Sequence, residues 1–226
     1  FEKGLNDRSY GIAQMTTDFM YIWHHVYPEM DLFESDKQKQ DMLKRAMESI
    51  DTYYNVLPDI PIPMTTEETI RYSIGDDIPD VEFTMDAILE DENGELELLD
   101  WKTGKVMVGV KLSSDLQAPL YIYGVQKHFG KRVKRFTYYY LHENKIRIFN
   151  HVGGDDYVCI VGKREYHINL TDAIKDVKRL FAQIKKGNFN VPQDTKKMFF
   201  TCKMCHIKQM GMCRGADEES WHQLAR

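Results

Sequence analysis

At 226 residues, with 42% hydrophobic and 29% charged residues, the chain has the make-up of one substantial globular domain with a real core and room for a small appendage. A net formal charge of −5 argues against a broad nucleic-acid-coating surface, but leaves room for a local basic groove. No apolar run approaches the roughly 18 residues that span a bilayer, no signal peptide is visible, and four cysteines without disulfide-framework spacing point to an intracellular protein, in the cytoplasm or nucleoid, with no membrane partner.

Residues 9–27 are apolar at Ile12, Met15, Phe19, Ile22, Trp23 and Val26, which predicts a helix. His24 and His25 follow that stripe; either could reach a metal, although a helical histidine with no partner in view is more often structural. Residues 36–55 predict a second helix, with Met42, Leu43, Ala46, Met47, Ile50 and Tyr54 on one side. Pro58, Pro61 and Pro63 then make an extended linker that closes an N-terminal helical part, residues 1–64. A strand over 65–74 leads through Gly75-Asp76-Asp77 to the stretch on which the chain turns, VEFTMDAILEDENGELELLDWKTGK, residues 81–105.

That stretch reads as a strand, a tight turn and a second strand ending in Asp100-Trp101-Lys102-Thr103-Gly104. Side chains alternate along a strand, so Asp100 and Lys102 leave one face together. An acid and an amine side by side at a strand end suit a metal-assisted phosphodiester site, and a surface ion pair is the plain alternative. The turn decides where Asp86 points. A two-residue turn at Asn93-Gly94 sets Asp86 against Trp101, on the far face from Asp100. A three-residue loop at Glu92-Asn93-Gly94, with Gly94 left-handed, sets Asp86 opposite Asp100, where Cβ atoms stand about 5 Å apart. Two carboxylates that close repel unless a cation lies between them, and hard divalent cations prefer oxygen. Alternation puts Phe83, Met85, Ala87, Leu89, Leu99 and Trp101 on the other face, while Ile88, Leu96 and Leu98 share the acidic one, so both faces of the sheet are expected to be covered.

Ser113-Ser114-Asp115 starts a helix over 115–129, with Pro119 in its first turn and Gln117 and Tyr121 four apart on one face. Residues 133–150 predict a hairpin turning at 142–144, preceded by the basic residues Lys131, Arg132, Lys134 and Arg135, which offer phosphate contacts or plain solvation. Its Tyr138-Tyr139-Tyr140 could stack bases, though buried strand packing suits it better. Residues 157–161 and 165–168 continue as edge strands, and 171–186 form a last helix closed by Lys185-Lys186-Gly187. The C-terminal segment, residues 191–226, carries Cys202-x₂-Cys205-x₇-Cys213, a spacing that lets three thiolates reach one metal. The fourth ligand could be Cys159, His206, His222 or a cysteine upstream of Phe1, with Cys159 better read as a buried small residue.

With Asp86 in VEFTMDAI, the run Asp100-Trp101-Lys102-Thr103-Gly104, Gln117-x₃-Tyr121 and the cysteine trio in this order, the sequence resembles the RecB-type, CRISPR-associated exonuclease-like branch of the PD-(D/E)XK nuclease superfamily. The resemblance implies an α/β fold: a mixed central β-sheet flanked by helices, restriction-endonuclease-like, with a nuclease core over 65–190 and a small metal-bound tail. It implies a divalent-metal-dependent deoxyribonuclease, an exonuclease of repair, recombination or replication, with DNA as substrate and a helicase or recombination protein as partner. Asp86, Asp100 and the Trp101 backbone carbonyl would hold Mg²⁺ or Mn²⁺, Lys102 would orient the attacking water or stabilise developing charge, and Gln117 and Tyr121 would orient the site or touch the DNA backbone. The cysteines would bind a [4Fe–4S] cluster together with a fourth, N-terminal cysteine, which would have to lie before Phe1 because none precedes Asp86 here, with Zn²⁺ as the alternative. Family members usually carry a metal-binding His in a G-x-x-x-H near the first helix; here Gly11-x₃-Met15 has Met instead, which also admits a catalytically weak scaffold domain. A metal-dependent hydrolase of another phosphate substrate is the remaining reading.

Overall fold

Asp91 N–H donates to Glu95 C=O at 2.9 Å and Gly94 N–H to Asp91 C=O at 3.0 Å, closing the central turn as a three-residue loop with Gly94 left-handed at φ 76°. Asp91 Oδ1 braces it by accepting the Asn93 and Glu95 N–H groups, both at 2.9 Å. The register follows: Ala87 faces Leu99 and Ile88 faces Leu98, so the next position along sets Asp86 opposite Asp100. The far-face alternative of a two-residue turn does not occur.

These features come from a computed structural model that describes residues 6–7, 9–26 and 35–186. Cys202, Cys205, Cys213, His206 and His222 lie outside the described residues. The chain divides into two compact units between Lys178 and Arg179, and the sheet belongs to the first. Seven strands lie in chain order: β1 (Thr65–Tyr72), β2 (Val81–Glu90), β3 (Leu96–Lys102), β4 (Val133–Tyr140), β5 (Lys145–Gly153), β6 (Asp156–Val161) and β7 (Arg164–Asn169). Neighbours are antiparallel except β3 and β4, which run parallel. A parallel pair needs a crossover, supplied here by a one-turn helix, α3 (Val110–Ser113), and the long α4 (Gln117–Phe129). The helices before the sheet are α1 (Ile12–Tyr21), which widens into a looser turn through Val26, and α2 (Asp36–Val56), capped by Ser35 accepting Gln38 N–H. The last is α5 (Leu170–Lys185). Among the described residues no helix is long and apolar enough to cross a membrane.

Each face of the sheet has its own core. On one side Ile70, Tyr72, Phe83, Met85, Ile88, Leu98 and Phe136 pack with Ala118, Ile122 and Val125 of α4. On the other, Ala87, Leu89, Leu99 and Leu141 meet Met15 of α1 and Ile50 and Tyr53 of α2. Two expectations change. Phe83 and Met85 do not share the face of Ala87 and Leu89; they join Ile88 and Leu98 in the α4-side core. The alternation slips between Met85 and Ala87, at Asp86. Glu67, which the β1–β2 register puts opposite Asp86 between Thr66↔Ala87 and Glu68↔Met85, has φ 50°. Both strands change course at this level, as strands do at irregularities beside functional sites, and simple two-residue alternation cannot register that. The first helix is α-helical only from Ile12 to Tyr21 and continues as a wider helical turn through Val26, and α3 has no warning in the apolar pattern because one turn is too short to show a period.

Candidate active site

In the β2–β3 ladder the odd-numbered pairs carry the hydrogen bonds, Asp91 with Glu95 being the first. Continuing the pattern, Trp101 N–H would reach Met85 C=O. It donates instead to Asp86 Oδ2 at 2.6 Å, and the ladder ends at Ala87–Leu99. The strands fork there, and a carboxylate replaces a backbone carbonyl at the mouth of the fork. The Trp101 ring leaves by the opposite face, packed edge-on to Tyr53 (centroids 5.1 Å apart) and tilted on Tyr139 (5.4 Å), which fixes the backbone that Asp86 engages.

Asp100 lies across the fork on the α4 side, only 4% exposed. Lys102 Nζ stands 2.7 Å from its Oδ2 as a close ion pair, which opposes the effect of burial on the carboxyl. Lys102 Nζ also donates to Gln117 Oε1 at 2.7 Å, and Gln117 Nε2 donates to Tyr121 OH at 2.8 Å. Tyr121 is stacked on Phe83, centroids 4.2 Å apart. The helix can lie this close because residue 124 is glycine: a Cβ there would fall 2.4 Å from Tyr72 Cε1 and 2.6 Å from Phe83 Cε1. The structure therefore brings Asp86, Asp100, Lys102, Gln117 and Tyr121 together from β2, β3 and α4.

Burial dominates the electrostatics. It lifts the Asp100 carboxyl to about 6, with the Lys102 ammonium opposing and the Asp86 and Asp115 charges adding to the rise. Asp86 is also raised by burial, against the Trp101 N–H and Lys102, which hold it down. Two carboxylates that resist ionising beside one ammonium form a site short of positive charge.

Two residues of this site carry no motif. Asp115 accepts the Tyr138 hydroxyl and also meets Gln117 N–H (3.3 Å) and Ala118 N–H (3.5 Å) at the start of α4. Tyr138 is wholly buried and faces Asp100 across the parallel β3–β4 pair, so its stack-or-pack alternative resolves to packing. The sequence reads Asp115 as the start of the helix, which begins two residues later at Gln117, with Asp115 accepting first-turn N–H groups; its place beside Asp100 has no local signal.

Other candidates lie apart. Lys131, Arg132, Lys134 and Arg135 sit at the turn end of the hairpin, paired with Glu90, Glu95, Asp91 and Glu97. Val133 is level with Leu96, Arg135 with Glu97 and Tyr138 with Asp100, so three to four strand residues, about 10–13 Å, separate that end from Asp100. His24 and His25 are exposed, His25 lying against Tyr21. Met15 is buried in the α1–α2 core. Cys159 is buried in β6, its thiol pushed up by burial.

The family comparison bears directly on this constellation. A model of the PD-(D/E)XK nuclease superfamily matches residues 15–213, a span that contains all five site residues. The chain belongs to that superfamily. No curated protein matches it by sequence. PD-(D/E)XK proteins are typically metal-dependent, nuclease-type phosphodiester hydrolases, so nucleic acid is the substrate class. The donor set fits a hard divalent ion in kind: two carboxylates that stand opposite each other supply oxygen ligands. Among the described residues no group of three or more His, Cys, Asp or Glu is placed to hold a metal ion.

Proposed function

We propose that the chain is a divalent-metal-dependent deoxyribonuclease, an exonuclease of the RecB-type branch, acting in DNA repair, recombination or replication. The observation that carries this reading is Asp100: a buried carboxylate set opposite Asp86 and paired with the ammonium of Lys102. Asp86, Asp100 and the Trp101 carbonyl would hold Mg²⁺ or Mn²⁺, which supplies a bound water of lowered pKa and neutralises the phosphate. Lys102 presents an ammonium where negative charge develops on the scissile phosphate, or orients the attacking water. Gln117 takes one of the lysine's donors and passes its own to Tyr121, so the ammonium has a fixed direction. Because Asp100 is only partly ionised near pH 6, binding a cation there displaces a proton.

The test is degradation of end-labelled single- and double-stranded DNA with Mg²⁺ or Mn²⁺, repeated in EDTA and with Asp100→Asn. Metal-dependent loss of label that the variant abolishes supports the reading; cleavage that survives EDTA or the substitution overturns it. One observation favours a second reading, a nucleic-acid-binding scaffold with little catalysis: Met15 stands where the resemblance expects a histidine and is packed in the core. DNA binding without cleavage in that assay would select it. For the tail we propose a [4Fe–4S] cluster on Cys202, Cys205 and Cys213, completed by a fourth cysteine from outside this segment. Anaerobically purified protein should then be brown and absorb near ~400 nm, while colourless protein with one zinc per chain would assign the site to zinc. A helicase or recombination partner and an intracellular location belong to the same proposal.

A further inference from the structure

We infer that Asp115 and Tyr138 form a bracket that positions Lys102. This rests on the nuclease reading above for its catalytic consequence, but not for its geometry. Lys102 Nζ lies 5.1 Å over the centroid of the Tyr138 ring, within reach of a cation–π contact. The same ammonium donates to Gln117 Oε1. Tyr138 and Gln117 belong to different elements, β4 and α4, and Asp115 ties the two together. One of its oxygens accepts the Tyr138 hydroxyl, and its carboxylate receives the backbone N–H groups of Gln117 and Ala118.

The contacts close a circuit from the lysine to the ring, from the ring's hydroxyl to Asp115, along the first turn of α4 to Gln117, and back to the lysine. A lysine side chain has four rotatable bonds and loses much entropy when held. Asp100 holds it by an ion pair at 2.7 Å, and a single partner leaves the ammonium free to swing about that contact. The ring beneath and the amide beside it supply the missing direction. Asp115 and Tyr138 touch no reacting atom; they act through Lys102 and are positioning residues.

The experiment compares wild type with Tyr138→Phe, which keeps the ring and its packing, and with Asp115→Leu and Asp115→Asn, the last of which retains an oxygen for the hydroxyl. Trace amine labelling read by mass spectrometry gives the reactivity of Lys102 against the other lysines as internal standards. Lys102 labelling should rise about fivefold in Tyr138→Phe and Asp115→Leu, and less in Asp115→Asn, with the other lysines unchanged. On DNA, kcat should fall about tenfold with KM within about twofold, since orientation rather than binding is lost. Unchanged Lys102 labelling, or a rise shared by all lysines, would overturn the bracket. If wild type cleaves no DNA at all, the nuclease reading fails while the labelling still decides the bracket.

Discussion

The two ends of the β2–β3 hairpin are built from the same kinds of residue and behave in opposite ways. At the turn, Glu90, Asp91, Glu95 and Glu97 meet Lys131, Arg132, Lys134 and Arg135 in exposed or half-exposed pairs, and the Lys134 ammonium, with turn N–H groups, holds Asp91 down to about 2. At the fork, Asp86 and Asp100 share one ammonium out of water, and burial raises both. Charge count alone would rank the turn as the nucleic-acid surface. Burial reverses the ranking: where charge is already neutralised and solvated, there is little for a cation or phosphate to gain.

The sharpest way to break this comparison is to remove the charge at the fork. Asp100→Asn and Lys102→Ala should each lower kcat by at least roughly 10²–10³-fold, the usual cost of losing one preorganised electrostatic group. They should differ in Mn²⁺ titration, where Asp100→Asn weakens binding and Lys102→Ala does not. Wild-type turnover in either would mean the fork is not the reacting centre.

Packing comes next. Gly124→Ala drives a methyl into Tyr72 and Phe83 and should cost about 1–3 kcal/mol. Because the displaced helix carries Gln117 and Tyr121, turnover should fall as well; a melting temperature and kcat both within error of wild type would show that α4 is not held by this contact.

A stability measurement sharpens the contrast through its sign. Asp100 titrates near 6 in the fold, above its unfolded value near 3.8, so the folded state binds the extra proton between those values and stability rises as pH falls from about 6 to 4. At neutral pH the ionised group is a cost of up to about 3 kcal/mol, from two pKa units. Metal-free Asp100→Asn should therefore melt several degrees higher than wild type at pH 7.5, the gap closing by pH 4.5. A variant that melts lower at pH 7.5 would show that the Lys102 pair outweighs burial.

Asp91 behaves inversely. Its depressed pKa contributes stability above pH 4 that is lost as pH falls toward 2. Since Lys134 is exposed and an asparagine Oδ1 can still accept the turn N–H groups, Asp91→Asn should move the melting temperature at pH 7.5 by only about 1 °C and leave cleavage intact. A loss of cleavage would give the basic end a role in the site.

Much of this was legible in the sequence because it is local. The Asn93-Gly94 pair restricts the turn to a short menu, Gly at the third position favours the three-residue loop, and that loop by itself sets Asp86 opposite Asp100. Gln117 and Tyr121 share a helical face by period alone. What only the tertiary structure decided depends on distance in the chain. The slip of β2 at Asp86 and the fork that lets a carboxylate take the Trp101 N–H arise where three strands meet. The neutralisation of the basic run depends on which acids the parallel β3–β4 register brings beside it, and the place of Asp115 and Tyr138 beside Lys102 depends on the same pairing. Local periodicity fixes which way a side chain points. Desolvation and long-range pairing decide what it meets there, and these have no signature in a window of neighbouring residues.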